Sequence, residues 1–327
     1  MSAPEPSQRY SPPAGTPRTP SAGGDAPAGT PHAPSPQSAS PESGGIPPSQ
    51  RRVHSLQEID LLGMQLAACS EGQLLDALFG ALARQRGGWL ITANLDFLRR
   101  YSRDERMQVL YAEADLRVAD GMPLVWAAYL QDTPLPERIA GSSLIRPLAQ
   151  RAAAEGRRIY FLGGEGRTAE TASLQLTREF PGLTVAGFSS PWLPTEPDDA
   201  AVEPTRQALT EARPDIVLVA LGSPKQEWLI SKLRRSLPAC WFIGVGMSFS
   251  FTTGHRSRAP LWMQRTGLEW VHRLAAEPKR LGKRYLWHDA PFGVELLGRA
   301  LLEGFKARRR KGGSGDDSAE GRSGERP

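Results

Sequence analysis

The chain has 327 residues, of which 39% are hydrophobic and 23% charged, with a formal net charge of +5. That length allows one or two domains, and no run of about 18 apolar residues occurs that would make a spanning helix. The only two cysteines, Cys69 and Cys240, lie far apart, which excludes a disulfide framework or a cysteine-ligated metal and predicts two buried thiols in a reducing compartment.

Residues 1–54 are dominated by Pro, Ser, Ala and Gly with almost no large apolar side chain. Such a stretch cannot bury enough surface to offset the entropy of ordering, so a disordered tail is expected. It also lacks the apolar h-region of a secretory signal. Residues 55–260 alternate short apolar runs with amphipathic stretches. The runs are Leu61–Ala67, Trp89–Thr92, Leu116–Ala119, Arg158–Leu162, Thr184–Phe188, Ile216–Leu221 and Trp241–Val245. Near-continuous runs of this kind fit strands buried on both faces. Helices are expected over Glu71–Arg84, Ser143–Glu155, Thr168–Glu179, Ala200–Ala212 and Lys225–Arg235. The alternation predicts an α/β core, a Rossmann-like and mostly parallel sheet with helices on both faces.

Residues 261–311 change character. Trp262, Trp270, Trp287 and Phe292 sit among basic residues, and two or three short amphipathic helices are expected as an appendage to the core. Between Arg265 and Lys311 there are twelve Lys or Arg against five Asp or Glu, so the rest of the chain is slightly acidic. A basic block on such a core fits a phosphate-bearing partner (anionic lipid, nucleic acid or a diphosphate substrate) or a merely solvated surface. Residues 312–327 read as a second disordered tail.

In parallel sheets the ligand lies at the carboxyl ends of the strands, so the residues just after each strand carry the chemistry. Gly164-x-Gly166-x-x-Ala169 follows a strand and opens a helix. It suits a diphosphate cradle, a dinucleotide site or a tight turn. A dinucleotide site requires a carboxylate ending the next strand, which instead reads Ala186-Gly187-Phe188. Asp120, before Gly121, is placed as a general base or as the cap of a helix starting near Met122. Thr92 and Asn94 suit sugar hydroxyls, or else helix capping. In Ser223-Pro224-Lys225-Gln226-Glu227, Ser223 is placed to cap a helix with Pro224 in its first turn. Gln226 and Glu227 then face the site, unless Glu227 only compensates the helix dipole. The basic residues Arg273, Arg280, Lys283 and Arg284 suit a diphosphate clamp, a membrane interface or a nucleic-acid patch. The histidines His255, His272 and His288 lack ligand spacing, and no Asp-x-Asp occurs, so no metal site is expected.

Taken in order, Thr92-Ala93-Asn94, Ala119-Asp120-Gly121, Glu137-Arg138-Ile139-Ala140-Gly141-Ser142, Gly222-Ser223-Pro224-Lys225-Gln226-Glu227, Gly244-Val245-Gly246, Arg258-Ala259-Pro260 and Gly267-Leu268-Glu269-Trp270-Val271-His272-Arg273-Leu274 with Glu277-Pro278-Lys279-Arg280 form a set. That set resembles the WecG/TagA/CpsF glycosyltransferases over roughly Leu56 to Leu286. The resemblance implies an inverting, metal-independent and cofactor-free transfer. A hexose or N-acetylhexosamine, N-acetylmannosamine among them, would pass from a UDP-sugar to a polyprenyl-diphosphate-linked sugar in cell-surface polysaccharide or teichoic-acid-like glycan assembly. It implies Asp120 as general base, Thr92 and Asn94 in its pocket, Arg138 and Gln226 as polar site positions, and Arg273, Arg280, Lys283 and Arg284 reaching the diphosphate and an anionic membrane surface. Gly164, Gly166 and Glu227 complete the expected substrate contacts. A cytoplasmic protein, peripheral to the inner face of the plasma membrane, self-associating and not binding nucleic acid, is the matching expectation. Two departures stand out: Lys283 occupies a position where arginine is common, and Phe249-Ser250-Phe251 replaces a Phe-Asp-Phe. The rival readings are an NAD(P)-dependent oxidoreductase on the same kind of sheet and a non-catalytic polyanion-binding protein.

Overall fold

A computed structural model describes residues 56–252, 254, 259–260, 262–263, 268–276 and 278–313. The expected N-terminal tail falls outside the described residues, and so does the C-terminal one beyond Gly313. Six strands form a wholly parallel sheet: β3 (Gly88–Ala93), β4 (Leu116–Ala119), β5 (Arg158–Gly163), β6 (Thr184–Ser189), β7 (Ile216–Ala220) and β8 (Trp241–Gly244), in the spatial order β4-β3-β8-β7-β5-β6. The expectation of an α/β core with a parallel sheet is met.

Side-chain alternation along these strands divides the interior into two cores. Trp89, Ile91, Tyr160, Leu162, Val217, Val219 and Phe242 face one side. There they meet α2 (Leu95–Arg103), α3 (Glu105–Ala112), α4 (Met122–Leu130), α7 (Asp199–Ala212) and α8 (Lys225–Leu233). Leu90, Val118, Ile159, Phe161, Leu218, Trp241 and Ile243 face the other, against α1 (Glu71–Ala83), α5 (Gly141–Glu155), α6 (Thr168–Glu179) and α9 (Ser248–Thr252). Both faces of every central strand are therefore dry, which is why the runs read as continuously apolar.

The run Leu61–Ala67 is not one strand of this sheet. It contributes to a separate antiparallel hairpin, β1 (Glu58–Leu61) with β2 (Met64–Ala67). Leu62 and Gly63 both take positive φ, 52° and 87°, the conformation of a tight two-residue hairpin turn. A single glycine in an apolar run is a weak signal, and the hydrophobic pattern alone hid the reversal.

The C-terminal region contains α10 (Glu269–Ala276), α11 (Pro278–Lys283), a π-helical turn (Arg284–Asp289) and α12 (Ala290–Gly313). The last is 24 residues long, not one of a set of short helices as expected. Phe292, Leu296 and Ala300 recur at i, i+4, i+8 and enter the first core, so burial of this stripe sustains the length. Opposite α4, Gly304 comes so close that an added Cβ would lie 2.0 Å from the Leu130 carbonyl oxygen.

Gly304→Ala is therefore expected to push α12 off α4, because the obstacle is backbone and cannot rotate away. The cost should be about 1–3 kcal/mol, as for overpacking in general. Thermal unfolding together with limited proteolysis of α12 measures it; an unshifted midpoint and wild-type cleavage would show that the contact tolerates a methyl group.

Candidate active site

One cavity of about 340 Å³ opens where the carboxyl ends of β3 and β4 meet the C-terminal helices. Asp120, the residue after β4, lines it with Asn94, Asp96, Arg138, Glu269 and Arg273. Met122, Pro123, Trp126, Val294 and Leu297 give the cavity an apolar side, supplied by α4 and α12.

Asp120 does not cap the helix that follows it. That cap position belongs to Gly121, with no side-chain hydrogen bond. Instead Asp120 Oδ2 accepts the backbone N–H of Gly141 at 3.2 Å. Gly141 is the first residue of α5, whose own cap residue, Ala140, offers no side-chain acceptor. The carboxylate thus satisfies an orphan N–H of a helix remote in sequence and sits at its positive end. Gly141 fits because an added Cβ would lie 2.9 Å from Thr92 Oγ1.

Two guanidiniums face this carboxylate. Glu269, on α10, accepts from Arg138 Nη1 at 3.0 Å through one oxygen and from Arg273 Nη2 at 2.5 Å through the other. Burial raises the Asp120 carboxyl above its ordinary value and Glu269 adds to the rise, while Arg273, Arg138 and the Gly141 N–H oppose it. For Glu269 the balance goes the other way: burial raises its carboxyl, yet Arg273 and Arg138 outweigh that and hold it below the usual range. Arg138, Arg273, Asp120 and Glu269 form a set with two charges of each sign, in a cleft where unpaired charge would be costly.

Asn94 lines the cavity and also caps α2, its Oδ1 accepting from Asp96 N at 3.0 Å and Phe97 N at 3.3 Å. Thr92 lies on the other face of β3, buried, with Oγ1 donating to the Gly244 carbonyl at 3.1 Å. Gln226 and Glu227 are buried at the start of α8 and point along the sheet edge towards β8. Gln226 Oε1 accepts Gly246 N at 3.2 Å, and a Cβ on Gly244 would come within 2.7 Å of Gln226 Nε2. Ser223 does not cap α8; Pro224 holds that position, without a side-chain acceptor.

Gly164 and Gly166 stand at the β5–α6 turn, with φ of 84° and 55°. Gly164 donates to the Ala220 carbonyl at 2.7 Å, and a Cβ there would strike Thr168 Oγ1 at 2.2 Å. Among the described residues Thr168 Oγ1 is buried without a hydrogen-bond partner, and Arg167 gives α6 no side-chain cap. Of the expected site residues, then, Asp120, Asn94, Arg138 and Arg273 share one cavity. Thr92, Gln226, Glu227, Gly164 and Gly166 lie further along the same sheet edge. Lys283 is exposed on α11, and the side chains of Arg280 and Arg284 lie outside the described residues. Asp96, close behind Asn94, and Glu269, within the set that carries the resemblance, had no expected role. Asp96 pairs with Arg99 at 2.5 Å and Arg100 at 2.9 Å, backing the cavity wall. The i, i+4 spacing of Glu269 and Arg273 was the available signal for the second. Among the described residues, no group of three or more His, Cys, Asp or Glu is gathered as a metal site.

The model of the glycosyl transferase WecG/TagA/CpsF family matches residues 59–306. The chain is also similar to an N-acetylglucosaminyldiphosphoundecaprenol N-acetyl-beta-D-mannosaminyltransferase of Bacillus spizizenii, 31% identical over 199 residues, 61% of this chain and 75% of that protein.

The buried Glu227 makes a measurable prediction. Burial pushes its carboxyl up to about 7 from an ordinary 4.5, despite Gln226 and Ser223 acting to lower it. The folded chain therefore binds this proton more tightly than the unfolded chain. The resulting stability is present below pH 4.5 and is lost as pH rises through about 7, in total up to about 3 kcal/mol. Glu227→Gln should flatten urea-unfolding stability between pH 5 and 8; a wild-type slope in the variant would mean that another group holds the proton.

Proposed function

The chain belongs to the glycosyl transferase WecG/TagA/CpsF family, and on that premise we propose that it transfers a hexose or N-acetylhexosamine from a UDP-sugar to a polyprenyl-diphosphate-linked sugar, with inversion and without a metal. N-acetylmannosamine is the donor sugar favoured by the relative's name. The observation that carries this reading is Asp120, held by the Gly141 N–H and faced by Arg138 and Arg273 in an open cavity.

In the proposed step an acceptor hydroxyl attacks the anomeric carbon of the donor from the face opposite UDP. The new bond joins acceptor oxygen to that carbon, the bond to the UDP oxygen breaks, and the hydroxyl proton passes to Asp120. A base with a raised pKa, closer to the working pH, is better matched to that task than an ordinary aspartate. Negative charge gathers on the departing diphosphate. Arg273 and Arg138, which line the same cavity as Asp120, are placed to receive it. Asn94, with its carbonyl oxygen committed to α2, has its amide N–H groups left for a sugar hydroxyl.

We also infer peripheral attachment to the inner face of the plasma membrane. None of the helices, among the described residues, is long and apolar enough to cross a bilayer. On α12, Val294, Leu301 and Phe305 share one exposed face by i, i+7, i+11 spacing, opposite the buried stripe, with Arg308 and Arg309 flanking it. Apolar side chains flanked by cations fit an anionic lipid surface. The apolar side of the cavity adjoins that helix, which suits a lipid-borne acceptor.

Asp120→Asn should fold normally, by circular dichroism, and lose roughly 10²- to 10⁴-fold in transfer rate, the usual worth of a general base. Turnover near wild type would defeat the assignment. In the wild type, kcat/KM should fall as pH drops through the raised Asp120 pKa, so its acid limb should lie above the ordinary aspartate value of 3.8. EDTA should leave the rate intact, and inhibition reversed by Mn²⁺ would refute the metal-free mechanism. A panel of UDP-sugars against a short-chain lipid-diphosphate acceptor, read by mass spectrometry, identifies the donor.

A further inference from the structure

We infer that Glu269 is a positioning residue for this reaction: its carboxylate fixes the two guanidiniums beside Asp120 and fastens the C-terminal helices to the sheet domain. The inference rests on the sugar-transfer reading above. Three features of the geometry carry it.

First, Glu269 divides its two oxygens between the two halves of the site. Oε2 accepts from Arg138, which precedes α5, while Oε1 accepts from Arg273, one turn further along α10. The Arg138 contact spans 131 residues of sequence. Second, the carboxylate is poorly accessible, its side chain 11% exposed, as is that of Arg138 at 16%. Exposed ion pairs contribute little, but a pair withdrawn from water holds its geometry, and loss of one partner is costly. Third, the two arginines line the same cavity as Asp120 and both act electrostatically on its carboxylate. With no anion between them, two cations on one target would repel each other and adopt many rotamers. Glu269 converts that repulsion into a fixed fork.

The other groups facing Asp120 do not duplicate this function. From the β3 end and α2 come Asn94, which is committed to its cap, and Asp96, already paired with Arg99 and Arg100. From the π-helical turn come Tyr285 and Asp289, the latter 3.5 Å from Arg99. The α4 side offers only Met122, Pro123 and Trp126, and α5 contributes the Gly141 N–H.

Glu269→Gln keeps the shape and removes the charge. It should lower kcat roughly tenfold to hundredfold, the usual effect of an ångström-scale misplacement. It should also move the acid limb of kcat/KM to lower pH, by roughly half a unit or more, because a negative charge beside Asp120 is gone. A merely structural role would lower activity without moving the limb. Glu269→Asp is the second variant, should the first fold poorly. It retains the charge but draws the oxygens back by one methylene, so the limb should stay while kcat falls. Hydrogen exchange over 269–276 should quicken in both variants, reporting looser attachment of α10. An E269Q enzyme with kcat within twofold of wild type and an unmoved limb overturns the inference, as does an E269D enzyme with wild-type kcat. Failure of the wild type to transfer sugar, or full activity in D120N, would instead overturn the reading beneath it.

Discussion

A charge-balanced set of two guanidiniums and two carboxylates, only partly open to water, is the constraint around which the site is organised. Charged groups leave water only when paired and hydrogen-bonded. Here the four members come from three parts of the chain: Asp120 from the end of β4, Arg138 from the segment before α5, Glu269 and Arg273 from α10. None of them can settle until the sheet and the C-terminal helices are packed together. The long α12, buried by its i, i+4, i+8 stripe and seated on α4 through Gly304, provides that packing. Stability and site assembly are thus linked through the same contact surface.

The central strands were legible in the sequence because they are dry on both faces, leaving short continuous apolar runs separated by helical stretches, whereas the edge strand β6 has no buried residue. Helices α1, α5, α6, α7 and α8 were legible from apolar periodicity. The tandem pair α2 and α3 was not, since arginine, aspartate and tyrosine crowd that segment and its apolar stripe is thin. In the site, the rule that ligands gather at strand ends was enough to single out Asp120 and Asn94. It could not say what Asp120 touches, because its partner Gly141 lies 21 residues away. Arg273 stood out in the basic C-terminal block, whereas Arg138 came from resemblance alone. Glu269 stayed unmarked, since a carboxylate at the start of a helix ordinarily compensates the dipole; only the fold reveals a second arginine on its other oxygen.

Steric contact joins the cavity to the glycine-rich edge of the sheet. Asp120 holds Gly141, Gly141 abuts Thr92, Thr92 donates to Gly244, and Gly244 leaves just enough room for Gln226, which in turn holds Gly246. Each link is a hydrogen bond or a contact that a methyl group would break. Thr92 and Gln226, expected in the site but lying outside the cavity, are therefore joined to it through packing. Thr92 is a clear case: its hydroxyl is already spent on a backbone carbonyl, so its bulk against Gly141 matters to the position of Asp120 whether or not it meets a ligand.

A parallel sheet with a glycine turn invites a dinucleotide-binding interpretation, and two features of this chain oppose it. Counted within the sheet, the strand order is 2-1-6-5-3-4, whereas the doubly wound dinucleotide fold runs 3-2-1-4-5-6. The strand after the glycine turn ends at Gly187-Phe188-Ser189, with no carboxylate for a ribose. Connections leaving β3 and β7 cross one face and those leaving β5 and β8 the other. The cavity that holds Asp120 lies at the β4–β3 end of the carboxyl edge, where the C-terminal helices close over it. A hydride-transfer site would need its cofactor to lie across the glycine turn with the reacting atom nearby. Here the titratable group and its cations stand at the opposite end of the edge, under an apolar helix face. Charges beside an apolar face suit the proposed pair of substrates, a donor with a leaving diphosphate and a lipid-borne acceptor meeting in one cavity.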